Sequence, residues 1–309
     1  PELWRNTLQI RPSRTVEEGY HYTADIVDES IRWLHTQRSV APTKPYFMYL
    51  ATAAAHAPHH VPREWIDRYR GKFDQGWDAL REEIFARQKK LKVIPADAEL
   101  APRPDGLPYW NSLSLDQKRI AARQMEVYAA FIAHTDAQIG RLIDTVKSMP
   151  GGDNTLTMYI IGDNGPSGES LEGYGISLAD SAASIDDLGS RKYYNGYAAG
   201  WAIAGSTPFQ QSKGVASHLG ATRNPLVVTW PAGIHDKGGV RSQFTHVTDV
   251  AATILDVIGA EAPAVVDGVL QLSLDGASFA DSFARADAPS HHKAQYFEVW
   301  GNRSMYVDG

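Results

Sequence analysis

Asp163 and Asn164 stand between Gly162 and Gly165, directly after the apolar run 156–161. Glycines on both sides let the backbone turn sharply and aim two adjacent oxygen side chains at one point. Hard cations such as calcium and magnesium take ligands of this kind. Asp-Asn-Gly is equally a favoured turn sequence, so the tripeptide alone allows both readings. His56, His59 and His60 fall in the run Ala-Ala-His-Ala-Pro-His-His-Val-Pro. Three close imidazoles could hold zinc, but they lack helical spacing and neither thiol nor acid sits among them. A loop of surface histidines is one alternative. The sharper one is a single imidazole, His56, working as a general acid, because its ordinary pKa lies near neutrality. Lys213 lies in Gln-Ser-Lys-Gly-Val-Ala-Ser-His-Leu-Gly-Ala-Thr-Arg-Asn-Pro, close to His218 and Arg223. That segment reads either as a solvated lysine or as an anion-binding loop.

Several elements must position these groups. Thr23 is placed to cap a helix with Val27, Ile31 and Leu34 at helical spacing. A turn over residues 41–45 leads into 46–50, an apolar-aromatic run that reads as a buried strand delivering the His56 loop. Residues 63–113 are polar with scattered Trp and Pro, and predict an insertion draped over the surface. Ser114 and Gln117 form a capping-box signature. It opens a long helix with Met125, Tyr128, Ile132, Ile139, Leu142 and Val146 on one face, stopped by Pro150-Gly151-Gly152. Residues 156–161 and 226–230 read as further strands, and Thr248 caps a helix with Val250, Ile254 and Ile258, closed by Gly259. This alternation predicts an α/β fold, a central mainly parallel mixed sheet flanked by helices. Ligands of such sheets gather beyond the carboxyl ends of the strands, where the His56 loop and the Asp163 turn both fall.

Composition narrows the function classes. At 309 residues with 43% hydrophobic and 21% charged residues, the chain can build one large domain or one domain plus part of another. A net charge of -6 argues against a nucleic-acid partner, which would need a basic face, but leaves room for a small anionic substrate. No apolar run approaches the roughly 20 residues that span a bilayer, so no membrane partner is expected. Cysteine is absent, so any metal must be held by oxygen or imidazole. The chain starts at Pro1 and carries no signal or lipidation motif, which leaves the compartment open between bacterial cytoplasm and periplasm.

In their order these segments resemble the type I sulfatases, of the alkaline phosphatase-like superfamily. Lys44-Pro45-Tyr46-Phe47-Met48-Tyr49-Leu50 followed by His56-Ala57-Pro58 is similar to one family block. Asp153-Asn154-Thr155-Leu156 through Ile161-Gly162-Asp163-Asn164-Gly165 is similar to the family's strand and metal turn. Lys213-Gly214, then Gly220-Ala221-Thr222-Arg223-Asn224-Pro225-Leu226 through Trp230-Pro231-Ala232-Gly233, parallels a third. His246-Val247-Thr248-Asp249-Val250 with Ile254-Leu255 matches a fourth, so the resemblance spans residues 19–268. There are departures: Ala221 replaces the second glycine of a Gly-Gly pair, the usual preceding acid is absent, and the Lys213-to-Gly220 gap is one residue longer.

The resemblance implies an alkaline phosphatase-like catalytic domain over 1–285, with 63–113 as an insertion and 286–309 as the start of a smaller C-terminal domain. It implies a sulfate-ester hydrolase, an arylsulfatase. Calcium, or alternatively magnesium, would be bound by Asp163, Asn164 and acids upstream of the chain. Asp163 would also help deprotonate the attacking hydroxyl, Lys213 would bind and neutralise the sulfuryl group, and His56 would protonate the departing alcohol or phenol. His218 is a second substrate contact, whereas His59 and His60 are expected to be loop residues and Arg223 structural. The nucleophile would be a formylglycine, made by a maturation enzyme from a Cys-x-Pro-Ser-Arg motif or its Ser version. Ile10-Arg11-Pro12-Ser13-Arg14 imitates that motif, but isoleucine cannot be oxidised to an aldehyde, so the true motif is expected upstream of Pro1. A phosphomonoester or phosphonate-ester hydrolase of the same fold, and a catalytically silent binding protein, are the rival readings. The implied partner is a small-molecule sulfate ester.

Overall fold

A computed structural model describes residues 2–171 and 178–309, which fall into two compact units. The first comprises Pro1–Ala86, Ala101–Met149 and Pro166–Thr207. It opens with a small antiparallel hairpin, β1 (Leu3–Arg5) and β2 (Leu8–Ile10). α1 (Tyr22–Val40) buries Val27 and Leu34, as their spacing predicts. Its cap differs from the expectation. His21, in extended conformation, precedes the first turn, and Thr23 lies buried inside the helix without capping it. Asp25 in the first turn supplies a negative charge at the positive end of the helix dipole instead.

Residues 63–113 correct the expectation of a segment draped over the surface. They form α2 (Arg63–Ile66) and α3 (Gly76–Lys90), and Trp77 and Trp110 belong to the core. Trp77 meets Trp110 at 4.9 Å and Trp201 at 5.6 Å between ring centroids, both nearly perpendicular. Edge-to-face pairs of this kind are worth about 0.5–1.5 kcal/mol beyond the area they bury. The indole N–H groups of Trp201 and Trp77 are satisfied: Trp201 Nε1 donates to Ala121 O at 2.8 Å and Trp77 Nε1 to Pro108 O at 3.3 Å. Sequence patterning missed this because the three rings come from separate segments and converge only in space.

The close approach needs glycine at Gly200, where a β-carbon would stand 2.2 Å from Trp77 Cδ2. Gly200→Ala is therefore expected to destabilise the protein by roughly 1–3 kcal/mol through overpacking. The check is the urea midpoint of the variant against the parent, and an unchanged midpoint would contradict the packing described.

α4 (Leu115–Ser148) carries the predicted capping box: Gln117 N donates to Ser114 Oγ at 3.3 Å and Ser114 N to Gln117 Oε1 at 2.8 Å. Its buried face is broader than one stripe. Ile120, Val127, Ala130, Phe131 and Leu142 are buried, whereas Ile132 is exposed. The first half is enclosed on several sides, so Arg123, Gln124 and Glu126 are buried as well, and part of their polar atoms find partners while Arg123 Nε and Nη2 do not. Arg123 Nη1 donates to Glu126 Oε2 at 2.9 Å, Gly71 N to Glu126 Oε1 at 2.7 Å, and Ala198 N to Gln124 Oε1 at 3.1 Å. α5 (Leu178–Ala183) and α6 (Ala199–Gly205), which carries Trp201, complete the unit.

Residues 46–50 keep the alternation of a strand without becoming one. Tyr46, Met48 and Leu50 pack with Val27, Leu34 and Leu142, while Phe47 and Tyr49 are exposed. Among the described residues no ladder partner lies alongside, and side-chain alternation cannot supply the inter-strand hydrogen bonds that define a sheet.

The second unit comprises Arg87–Leu100, Pro150–Gly165 and Pro208–Gly309. β3 (Thr157–Ile160) and β4 (Leu226–Thr229), both anticipated, pair antiparallel with Thr157 opposite Thr229 and Ile160 opposite Leu226. Then come α7 (Leu219–Thr222), α8 (Asp249–Ile258), a short hairpin of β5 (Val265–Val266) and β6 (Val269–Leu270), α9 (Asp281–Ala284), and a longer hairpin of β7 (Ala294–Val299) and β8 (Asn302–Val307). Gly259, at φ 67, closes α8 as predicted. Thr248 occupies the cap position without a side-chain cap bond. The neighbouring Asp249 carboxylate, almost wholly buried, accepts from His246 N at 2.7 Å, Ala277 N at 2.9 Å and His292 Nε2 at 2.6 Å.

The architecture is a mixture of helix and strand, as expected of an α/β protein. Among the described residues the ladders are two-stranded and antiparallel, with one parallel bridge between Glu169 and Ala198 in the first unit. The expected mainly parallel central sheet is not among them. Alternating helices and strands along a chain do not determine which strands become neighbours, and the long connection from β3 to β4 permits either direction.

Candidate active site

The Asp163 turn is built on backbone contacts of the second unit. Beyond β3, Ile161 N donates to Pro225 O at 2.9 Å, which carries the strand direction into the turn. Gly162 and Gly165 take φ values of 83° and 82°, the left-handed region that glycine tolerates. Gly165 N donates to Asn224 Oδ1 at 3.0 Å. A β-carbon on Gly165 would stand 2.3 Å from Gly220 O and 2.9 Å from Ala221 Cα. Gly220 is as closely packed on its other side. Its N donates to Gln210 O at 3.2 Å, and a β-carbon there would meet the Gln210 and Gln211 carbonyl oxygens at 2.2 and 2.3 Å. Three segments thus stack at backbone distance: the Asp163-Asn164 turn, the start of α7, and the stretch that runs into Lys213. Asp163 is exposed and Asn164 half-buried.

Lys213 and His218 sit on the loop that enters α7, and both are partly exposed. Strand β8 holds that loop from the side: Ser304 Oγ donates to Ala216 O at 2.7 Å and Asn302 Nδ2 to Gly214 O at 3.4 Å. His218 is the residue before the first turn of α7, and its N donates to Val215 O at 3.0 Å. Ser217 Oγ lies 2.9 Å from His218 Nδ1. With the hydroxyl donating, Nδ1 is the acceptor and Nε2 carries the N–H, so the ring presents a donor outward. Arg223 stacks over the Phe209 ring at 5.4 Å, a packing contact.

His56 belongs to the first unit and is exposed. Its N donates to Ala53 O at 3.0 Å and its Nδ1 lies 2.6 Å from Ala57 O. A carbonyl oxygen can only accept, so Nδ1 holds a proton and Nε2 is the atom free to exchange one. The loop is held by residues 189–195: Val61 N donates to Gly189 O and His59 N to Asn195 O, both at 3.0 Å, and Tyr194 Oη donates to Ala57 O at 3.1 Å.

His59 lies in a loop as expected, but it is buried in the core rather than on the surface, at 2% exposure. It stacks on Tyr197 at 5.5 Å beside Tyr128 and Phe131. Burial, with smaller contributions from His56 and His60, pushes its pKa down to about 3. It is neutral at ordinary pH and has no proton to give as an acid. His60 stays partly exposed, with Nε2 at 2.9 Å from Tyr193 O.

The structure therefore gathers Asp163, Asn164, Lys213 and His218 in one unit and holds His56 in the other. The oxygens of Asp163 and Asn164 suit a hard divalent cation in kind, but two residues fill only part of a shell of about six to eight oxygens. Among the described residues no group of three His, Cys, Asp or Glu could hold a metal ion.

The model of the sulfatase family matches residues 2–260. This chain belongs to the sulfatase family. An uncharacterized sulfatase of Schizosaccharomyces pombe is 34% identical over 227 residues, covering 72% of this chain and 40% of that protein. The arylsulfatase of Klebsiella aerogenes is 31% identical over 218 residues, 70% of this chain and 47% of the relative. An arylsulfatase of Clostridium perfringens is 22% identical over 260 residues, 82% and 41% respectively. The chain spans less than half the length of these relatives. Membership agrees with the type I sulfatase resemblance of the four ordered blocks.

Within this sulfatase chain, two residues of the site escaped the sequence reading. Asn224 ties the Asp163-Asn164 turn to the Lys213 block, and Ser217 orients His218. The only hint was their position inside a recognised block. Asn224 leaves no pattern because its partner, Gly165 N, is remote in sequence, and the Ser217–His218 contact, though between neighbours, depends on side-chain rotamers.

Proposed function

We propose that the protein hydrolyses sulfate esters, aryl sulfates in particular, to an alcohol or phenol and inorganic sulfate. The observation that supports this best is the stacking of the Asp163-Asn164 turn, Gly220 and the stretch before Lys213 at backbone distance. It brings a pair of hard oxygen donors and a cationic loop together in one unit, inside a chain of the sulfatase family.

In this reading Asp163 and Asn164 provide part of the shell of a divalent cation, calcium or magnesium, completed by acids beyond this chain. When bound, the cation would neutralise sulfate oxygens, and a formylglycine made by a maturation enzyme would supply the attacking hydroxyl. Asp163 would take up the proton of that hydroxyl. The Lys213 ammonium binds the sulfuryl group and offsets the charge that grows on it, a preorganised interaction that gains strength in the transition state. His218 donates from Nε2 to a sulfate oxygen. His56 gives its Nε2 proton to the departing oxygen as the sulfur–oxygen bond breaks. The mainly parallel sheet of the alkaline phosphatase-like fold, a catalytic domain over 1–285 and the start of a smaller domain over 286–309 belong to the same proposal.

Parallel assays of the protein carrying this chain on 4-nitrophenyl sulfate and 4-nitrophenyl phosphate test the reading. Hydrolysis of the sulfate is expected to exceed that of the phosphate, to fall on chelation and to return with calcium or magnesium. Preference for phosphate would replace it with a phosphomonoester or phosphonate-ester hydrolase. Turnover of neither ester would leave a binding protein on this fold.

A further inference from the structure

Val299 pairs with Asn302, so Trp300 and Gly301 form the two-residue turn of the β7–β8 hairpin. Both take positive φ, 53° and 82°. Turns of this shape favour Asn-Gly or Gly-Gly, and a bulky aromatic in the first position is locally disfavoured. Burial does not offset that cost, because Trp300 is 86% exposed. Its six-membered ring nevertheless has one defined neighbour. A β-carbon on Gly214 would stand 2.9 Å from Trp300 Cζ3, and Gly214 directly follows Lys213. The hydrogen bonds from Asn302 to Gly214 O and from Ser304 to Ala216 O fix the same hairpin to the same loop. An indole with an open face is thus pinned one residue from the candidate sulfate-binding lysine.

We propose that Trp300 is a specificity-determining residue of this site, an aromatic wall that stacks on the aryl leaving group of the substrate. The inference rests on the sulfate-ester reading above. The indole holds the ring equally well before and during cleavage, so its contribution falls on KM and leaves kcat alone. An alkyl sulfate, with no flat face, gains little from it.

The test compares the parent, Trp300→Ala and Trp300→Phe on 4-nitrophenyl sulfate and butyl sulfate. A second readout is the binding of 4-nitrophenol without metal, followed by quenching of tryptophan fluorescence. Trp300→Ala is expected to raise KM for the aryl ester by roughly 2- to 12-fold, the size of one aromatic contact. Its kcat and its KM for butyl sulfate should stay at parental values, and its affinity for 4-nitrophenol should fall in parallel. Trp300→Phe, which keeps a flat ring, should retain most of the aryl preference. A fall in kcat on both esters, or equal KM shifts on both, would reduce Trp300 to a clamp on the Lys213 loop and overturn the inference, with the sulfate-ester reading intact. A parent protein that hydrolyses neither sulfate ester would overturn both.

Discussion

A His56→Ala variant is expected to lose roughly a hundred- to ten-thousand-fold in kcat on alkyl sulfates. Its loss on 4-nitrophenyl sulfate should be much smaller. The difference follows from the leaving group. An alkoxide is a strong base that must be protonated as it departs, whereas nitrophenolate is stable near neutrality and needs little help. The geometry suits the role: Nδ1 is engaged by the Ala57 carbonyl at 2.6 Å, and the exposed ring keeps Nε2 for exchange. Neither loop neighbour can stand in. His59 is buried and neutral, and the Nε2 of His60 is taken by Tyr193 O. Comparing kcat on the two ester classes decides the matter, and equal losses on both would argue against a proton-donor role.

Lys213→Ala should behave differently, with kcat/KM falling by about a hundred- to a thousand-fold on aryl and alkyl esters alike. In the proposed reading the charge that Lys213 meets is on the sulfuryl group, which every substrate would share, so leaving-group basicity should not modulate the loss. A slope of log rate against leaving-group pKa that stays parental in Lys213→Ala but steepens in His56→Ala would separate the two functions. A Lys213→Ala variant of parental activity would remove the lysine from the site. The loop that carries it is built independently of its side chain, through Gly220 on the Gln210 and Gln211 carbonyls and through β8, so the substitution leaves its scaffold in place.

What was legible depended on the range of the interaction. The Ser114–Gln117 capping box was readable because both partners lie within one helical turn. Gly259 as the stop of α8 is a local backbone property, as are β3 and β4 with their short apolar runs. The cap of α1 was misplaced because Thr23, a good capping residue, is used for burial instead. The convergence of Trp77, Trp110 and Trp201 was not legible because the three rings come from separate segments that meet only in space. At the candidate site, the block order along the chain pointed to the Asp163 turn and Lys213, while Asn224 and Trp300 emerged only from contacts across many residues and Ser217 from a side-chain contact with its neighbour His218.

The amino-acid sequence by itself determined the kinds of chemistry on offer: paired hard oxygens in a glycine-flanked turn, an ammonium in a glycine-bearing loop, and an imidazole two residues before a proline. It also determined the family, because ordered blocks of side chains survive without any knowledge of contacts. Tertiary structure alone decided which imidazole is available, since desolvation of His59 comes from Tyr128, Phe131 and Tyr197, all distant in the chain. It also decided how the turn and the lysine loop meet, because backbone-to-backbone contact at Gly165 and Gly220 depends on the absence of two β-carbons, and a sequence names those glycines without naming what they touch.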